Sequence, residues 1–487
     1  MIEIDLHEII SHQHRMLIDG ELCEAADSET LDTINPASAE VIKCFPDAAD
    51  EDLDRAVRAA QYAQPEWSSL SLDTRQQYLR EVSEILRTHS AELGALDSLE
   101  NGNVYSHMRH DAERGAFMLD YFCGIATELK GESTQVDNNL HYTRLEPYGV
   151  VAKLLPFNHP IQSLGAGIGS PLLTGNTIIL KPSPHTTLSA LRFGDLIKDV
   201  IPKGVINVVS GRNERIAKNL LAHPGIPRMS VTGSTDVGQL ALGLGAEHLK
   251  TITLELGGKT PMIIFDDADF ELSLNTALHG MNFKWQGHSC TSTSRVLVHE
   301  SLHDDFVDQL ADRFRAVNVA MPFDPLSEMG PISNKTQFEK VNEYIESGIA
   351  EGATLVCGGN RISDGKMANG YFISPAVFSD VTPDMRIAQE EIYGPVITVI
   401  KWREDEDAVK IANSVPYGLA AVIMGKDLAR VHHTAHLLKC GYVEGNGPVS
   451  FALGSPFGGV KSSGTGREGS IHELLSYTQL KSVNVRL

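Results

Sequence analysis

From Gly149 onward the chain alternates short apolar runs with stretches of helix length, and this pattern restricts its fold more than any other feature. The runs fall at 150–155, 177–180, 205–209, 229–231 and 252–254. Strand and helix in regular alternation build a parallel sheet covered by helices. Such a sheet binds its ligand beyond the carboxyl ends of the strands. The loops at those ends hold Asn158, Lys181, Gly211, Ser234 and Glu255. A second alternation begins at 261–265, passes Cys290 into 296–298, and continues through 395–400 and 420–424. With 487 residues the chain is too long for one ordinary core, so two α/β domains are expected.

Before the sheet, residues 16–21 and 35–37 read as short strands joined by turns, and two helices follow. Asp50 is the N-cap candidate of the first, with Leu53, Val57 and Ala60 at helical spacing; Ser71 opens the second, whose apolar face holds Leu72, Leu79, Val82 and Leu86. The tail from Ser476 to Val485 alternates like an edge strand able to pair with another subunit.

A formal net charge of −22 with no Lys/Arg run argues against nucleic acid or an anionic membrane as partner. The N-terminus, beginning Met1-Ile2-Glu3-Ile4, lacks the basic start and apolar core of a leader, and no window is apolar enough to span a bilayer. A cytoplasmic protein is expected. Six cysteines lie far apart without C-x-x-C pairing, so neither a disulfide framework nor a metal site is expected.

One cysteine stands out by its company. Cys290 sits in Trp285-Gln286-Gly287-His288-Ser289-Cys290-Thr291-Ser292, among small polar residues just before a strand. Alone it reads equally well as a small buried hydrophobe. Two other windows, Glu255-Leu256-Gly257-Gly258-Lys259 and Leu155-Pro156-Phe157-Asn158-His159-Pro160, supply the base and the oxyanion donor that thiolate attack on a carbonyl requires.

The three windows in this order resemble the aldehyde dehydrogenase superfamily, and the likeness runs from Ile18-Asp19-Gly20 to Pro456-Phe457-Gly458-Gly459-Val460-Lys461-Ser462-Ser463-Gly464 near the end. The resemblance implies an α/β fold of aldehyde dehydrogenase type: two doubly wound parallel-sheet domains plus a small β oligomerisation element. The expected divisions are a dinucleotide-binding domain at 1–124 and 144–258, a catalytic domain at 259–460, and an oligomerisation element at 125–143 and 461–487. It also implies a homodimer or homotetramer.

For the cofactor, NAD or NADP, the resemblance implies a site of Pro156, Phe157, Lys181, Ser183, Pro184, Gly211, Thr232, Gly233, Ser234, Val237, Leu256, Gly257, Glu391 and Tyr393. Ser234 can cap the helix it opens, and a helix start suits a pyrophosphate. Lys181 would reach the adenosine ribose and Glu391 the nicotinamide ribose. Many NAD-preferring relatives carry a glutamate where Pro184 stands, and its absence removes a bar to a 2′-phosphate. Arg212-Asn213-Glu214 replaces small residues often found there. The cofactor choice stays open, with NAD ahead on family frequency.

The implied reaction is attack of Cys290 on an aldehyde, stabilisation of the oxyanion by the Asn158 amide and the Cys290 N–H, hydride loss, and hydrolysis of the thioester by water that Glu255 activates. A free thiol with a pKa of about 8.5 already ionises partly near neutrality. Glu255 would have to be shielded from water to act as a base. The implied substrate funnel is His159, Gln162, Trp285, Ser289, Thr291, Phe451 and Phe457, together with Phe157. Its aromatic walls suit a benzaldehyde-like substrate, and His159 or Gln162 could bind a hydroxyl or carboxyl on the ring. His159 alternatively reads as a structural histidine bonded to backbone, the commoner role for a lone one. A cofactor-independent cysteine acyl hydrolase, or a non-enzymatic binding protein on the same fold, are the alternatives.

Overall fold

A computed structural model describes residues 5–486. Residues 1–4, where the reading of the N-terminus begins, and Leu487, the end of the expected tail element, lie outside the described residues.

The first alternation forms an eight-stranded sheet, ordered Gly464–Thr465, Thr251–Glu255, Arg228–Thr232, Val150–Leu154, Thr177–Lys181, Ile206–Val208, Met16–Ile18 and Glu21–Cys23. The strands from Thr251–Glu255 to Ile206–Val208 run parallel. The flanking strands are antiparallel. From Val150–Leu154 the chain steps outward through Thr177–Lys181 and Ile206–Val208, then returns to the other side with Arg228–Thr232. Strand order thus reverses between Val150–Leu154 and Arg228–Thr232, the switch point where doubly wound sheets open a ligand crevice. Pro156, Phe157 and Asn158 leave one of these strands there, and Gly233 and Ser234 leave the other.

Val150–Leu154 and Thr177–Lys181 are buried along their whole length, which is why both read as continuous apolar runs. Helices Asp50–Ser69, Leu72–Thr88, Tyr105–Ile125 and Pro160–Leu173 belong to the cover, locked in part by Trp67, whose indole N–H donates to the Leu172 carbonyl at 3.0 Å. Ser71 caps its helix as expected, accepting from the Thr74 N–H at 3.1 Å. Asp50 does not: Ala49 is the cap residue, and Asp52, inside the first turn, reaches back to accept from the Ala49 N–H at 2.9 Å. The buried Asp52 carboxylate also takes the Ala26 N–H, a tertiary partner invisible in the local pattern.

The second sheet has seven strands, ordered Thr354–Cys357, Ala376–Ser379, Val396–Trp402, Arg295–His299, Pro261–Ile264, Ala420–Met424 and Tyr442–Gly445. Only the Thr354–Cys357 edge is antiparallel. Four of these strands have just four residues; Pro261–Ile264 registers in the sequence as an apolar run, whereas Thr354–Cys357, Ala376–Ser379 and Tyr442–Gly445 do not. A third, antiparallel sheet joins Ser133–Val136, Asn139–Pro147 and Thr478–Arg486, the last pairing with Asn139–Pro147 along its full length.

Asn176 ties these layers together. Its carboxamide accepts from the Gly149 N–H at 2.9 Å and donates to the Pro171 and Tyr477 carbonyls at 3.2 and 3.0 Å, joining strand, covering helix and tail. Asn176→Ala removes this side-chain partner from the Gly149 N–H and the Tyr477 carbonyl, each at a cost of about 1–3 kcal/mol. The expected result is a lower urea midpoint with unchanged slope, read by circular dichroism.

Candidate functional site

The site forms where the chain crosses from the first sheet to the second. Glu255 ends its strand, in register with Thr232 on one side and Gly464 on the other. Beyond it the backbone is held by Ser463: the Leu256 N–H donates to the Ser463 carbonyl at 2.9 Å, and the Ser463 hydroxyl bonds the Gly257 carbonyl at 2.7 Å and the Gly418 N–H at 2.9 Å. Cys290 approaches from the opposite side, in the loop between the short helix Phe283–Trp285 and strand Arg295–His299. This loop turns on Gln286 and Gly287, both with positive φ, and is pinned by the Asn282 carbonyl, which accepts from the Trp285 and Gly287 N–H groups. Cys290 therefore lies at the amino end of its strand, whereas Glu255 lies at the carboxyl end of its own. A Cβ on Gly258 would fall 2.4 Å from the Cys290 carbonyl oxygen, so only glycine allows the two segments to meet.

The polar groups here are buried. Glu255 is 7% exposed, and neither carboxyl oxygen has a hydrogen-bond partner. Burial, then the nearby Glu468, holds its pKa well above the usual carboxylate range, against the opposing pull of Arg467 and Lys153. The shielding that the sequence demanded of this group is present. Lys153 bonds Glu468 at 3.1 Å and runs its stem past Gly167, where a Cβ would meet it at 2.6 Å. Glu473 lies in the same acidic cluster, accepting from Ser170 and the Gly469 N–H. Sequence reading missed Lys153, Glu468 and Glu473, which are distant in the chain and ordinary in their local windows.

For Cys290 the free-thiol expectation needs correcting. Burial, followed by the charges of Glu391 and Glu255, pushes the thiol up to about 12. The resting cysteine is a neutral thiol. Asn158, 7% exposed, donates one amide hydrogen to the His288 carbonyl at 2.9 Å, while Asn103 holds the Asn158 carbonyl at 2.8 Å. Among the described residues the Cys290 N–H donates to no backbone carbonyl.

Several of the residues expected to line a substrate funnel make local pairs. Trp285 and His159 lie with ring centroids 4.5 Å apart, and Phe451 and Phe457 meet edge to face at 5.3 Å. Phe457 is paired through its backbone with Glu468, and Arg114 donates to the Phe451 carbonyl at 2.9 Å. The Ser289 and Thr291 hydroxyls are 3.1 Å apart beside the cysteine. Gln162 packs its backbone against Gly115. His159 is bonded not to backbone but to the buried Asp111, at 2.7 Å. Asp111 was not foreseen.

This arrangement has many counterparts among known proteins. The aldehyde dehydrogenase family model matches residues 23–483. The chain belongs to that family. An aldehyde dehydrogenase, tropH, from Talaromyces stipitatus is 38% identical over 99% of this chain and 95% of its own length. Among solved structures, an aldehyde dehydrogenase mutant from Bacillus cereus superposes with a TM-score of 0.96 at 36% identity, covering 100% of this chain and 99% of the other. A betaine aldehyde dehydrogenase from Staphylococcus aureus in complex with NAD+ gives 0.96 at 34% identity, covering 98% and 96%. The chain is an NAD(P)-dependent aldehyde dehydrogenase with the α/β fold of that family.

The residues around the switch point of the dehydrogenase fit a dinucleotide. Ser234 caps helix Thr235–Ala246, accepting from the Val237 N–H at 3.3 Å, while Thr232 and Gly233 lead into it. Leu256 packs where Gly238 leaves room. Glu391 accepts from the Gly258 N–H at 2.9 Å and crosses Gly257 so closely that a Cβ there would lie 2.3 Å from its carboxylate. Phe157 and Tyr393 meet edge to face at 5.7 Å, and His288 stacks on Tyr393. Burial pushes the His288 imidazole down to about 3, so it is neutral.

On the adenosine side, Pro156 opens the loop after Val150–Leu154, Ser183 and Pro184 follow Lys181, and Gly211 borders Asp47. Lys181 donates to Asn213 at 2.6 Å and is lowered to about 7 by burial. Arg212 is turned onto the buried Asp47, 2.6 Å away, so it is committed to an internal pair.

A Cβ 2.4 Å from the Cys290 carbonyl oxygen must move about 1 Å to reach ordinary contact, so Gly258→Ala drives the two segments apart. A displacement of about 1 Å can cost on the order of a hundredfold in rate. The variant is expected to lose comparable activity while the thermal midpoint changes far less, checked by aldehyde turnover and calorimetry.

Proposed function

We propose that this dehydrogenase oxidises aromatic, benzaldehyde-like aldehydes to free carboxylates. The observation that supports the reading is that the rings expected at the approach to Cys290 pair with one another, Trp285 with His159 and Phe451 with Phe457. Flat apolar walls bury a flat apolar substrate.

In the first step the half-buried Cys290 thiol loses its proton to solvent as sulfur bonds to the aldehyde carbon. The remaining Asn158 amide hydrogen and the Cys290 N–H hold the oxyanion. Bound NAD or NADP supplies the hydride acceptor. The acyl group is left as a thioester on Cys290, and Glu255 takes a proton from the water that cleaves it. Retention of this carboxylate favours hydrolysis over transfer to a thiol cofactor.

The dinucleotide would lie across the switch point on residues 1–124 and 144–258, with the catalytic part at 259–460. NAD is the preferred form, because burial weakens the charge of Lys181 and the nearby Glu214 disfavours a 2′-phosphate. Residues 125–143 and 461–487 would join subunits into a dimer or tetramer, since Thr478–Arg486 forms the edge of its sheet with mostly exposed side chains. The unpaired, reduced cysteines accord with a cytoplasmic setting.

Reduced-nicotinamide formation tests the reading, with benzaldehydes, hexanal and lactaldehyde as substrates and both cofactors. Benzaldehydes with NAD are expected to give the highest kcat/KM, and Cys290→Ala to abolish turnover. Asn158→Ala is expected to cost about a hundredfold or more. Activity confined to the aliphatic aldehydes overturns the aromatic reading, and acyl-ester hydrolysis without nicotinamide reduction favours the hydrolase alternative.

The base gives a further outcome. A carboxylate with a raised pKa is protonated, and idle as a base, below that value, so the rate of thioester hydrolysis rises with pH through it. Glu255→Gln is expected to remove this rise and to leave a burst of one reduced nicotinamide per site followed by slow turnover, seen by stopped flow.

A further inference from the structure

The imidazole of His159 and its buried carboxylate partner have no place in the chemistry at Cys290. Asp111 is 5% exposed on helix Tyr105–Ile125, and its carboxylate lies 2.7 Å from His159 Nδ1. The pair exists because two helices come unusually close. A Cβ on Gly165 would meet Gly115 backbone at 3.0 Å, and one on Gly115 would meet Gln162 at 3.3 Å. Asp111 is one turn from Gly115, and His159 caps the helix that carries Gln162 and Gly165. An ionised carboxylate only accepts, so the Nδ1 proton points to Asp111 and Nε2 is left as the ring's other polar atom.

His159 is neither fully buried nor surface-lying; its side chain is 19% exposed. Its ring rests on Trp285, whose buried indole N–H has no partner. Its neighbour Asn158 reaches the Cys290 loop. A partnered imidazole and an unpartnered indole donor thus stand together beside the segments that carry Asn158 and Cys290.

Resting on the aromatic reading, we propose that the Asp111–His159 pair selects aromatic aldehydes with an acidic oxygen on the ring, a phenol or a carboxylate. His159 Nε2 contacts that oxygen. With a phenol the neutral ring accepts the hydroxyl hydrogen; with a phenolate or carboxylate the ring takes up a proton and donates, the imidazolium then lying between two negative charges. Asp111 is a positioning residue: it fixes the tautomer and stabilises the imidazolium. The Trp285 N–H supplies a second donor to the same oxygen.

The test measures kcat and KM of the full-length enzyme for benzaldehyde and for its meta- and para-hydroxy and carboxy derivatives, using wild type, His159→Phe, His159→Gln and Asp111→Asn. The unreactive amides of the same ring acids are titrated calorimetrically in parallel. Wild type is expected to show lower KM for the oxygenated rings. Charge-assisted hydrogen bonds of this kind are worth about tenfold or more in affinity, so His159→Phe and Asp111→Asn should raise KM for oxygenated rings at least about tenfold more than for benzaldehyde.

His159→Gln should recover part of the preference for phenols and none for carboxylates. Response to the hydroxy rings alone identifies a phenol as the ligand, and response to the carboxy rings alone a carboxylate. Equal losses on all substrates, as a structural role gives, overturn the proposal while the aromatic reading stands. Turnover of aliphatic aldehydes only overturns both.

Discussion

The structure depends on the short crossing from Glu255 to Lys259. Within five residues the chain leaves the first sheet, passes Glu391 and Cys290 at backbone distance, and enters the second sheet at Pro261. Two glycines make this possible, Gly257 beneath the Glu391 carboxylate and Gly258 beneath the Cys290 carbonyl. Any side chain at either position would part the groups it brings together. The crossing is held less by its own residues than by Ser463, whose hydroxyl spans the Gly257 carbonyl and the Gly418 N–H. The C-terminal region therefore clamps the junction: Gly464–Thr465 extends the first sheet, Ser463 fixes the crossing, and Phe457 pairs with Glu468 beside the base.

The parts of this arrangement legible in the sequence were those written in local pattern. The five parallel strands of the first sheet fall within a residue or so of the apolar runs, because strands buried on both faces must be apolar throughout. Ser71 and Ser234 announced their helices because an N-cap bond is made to a residue three positions on. Cys290, Glu255 and Asn158 could be picked out together because their windows are distinctive in combination.

What the sequence concealed depends on distance. Asp111 lies in an unremarkable helix, and only the Gly115–Gly165 contact makes it the partner of His159. Lys153 stands mid-strand in an apolar run and is tolerable there because Glu468 and Glu473 arrive from the far end of the chain. Asn213 looked like an intruder in the adenine region, yet it satisfies Lys181. In each case the residue type was visible and its partner was not. The thiol misled in a similar way. Its reference value describes a cysteine in water, whereas Cys290 is partly buried near the charges of Glu391 and Glu255.

Those two carboxylates place the thiol and the base in one electrostatic system. Burial and the Glu391 and Glu255 charges oppose ionisation of Cys290, while burial and Glu468 oppose ionisation of Glu255. Each group is harder to deprotonate once the other has lost its proton, as with any like-charged pair in a poorly solvated site. A single negative charge shared between them is therefore far easier to hold than two. The raised thiol and the raised carboxyl thus follow from one constraint: whichever of the two ionises holds the other neutral, so the proton count of the pair, and not of either residue alone, sets its charge.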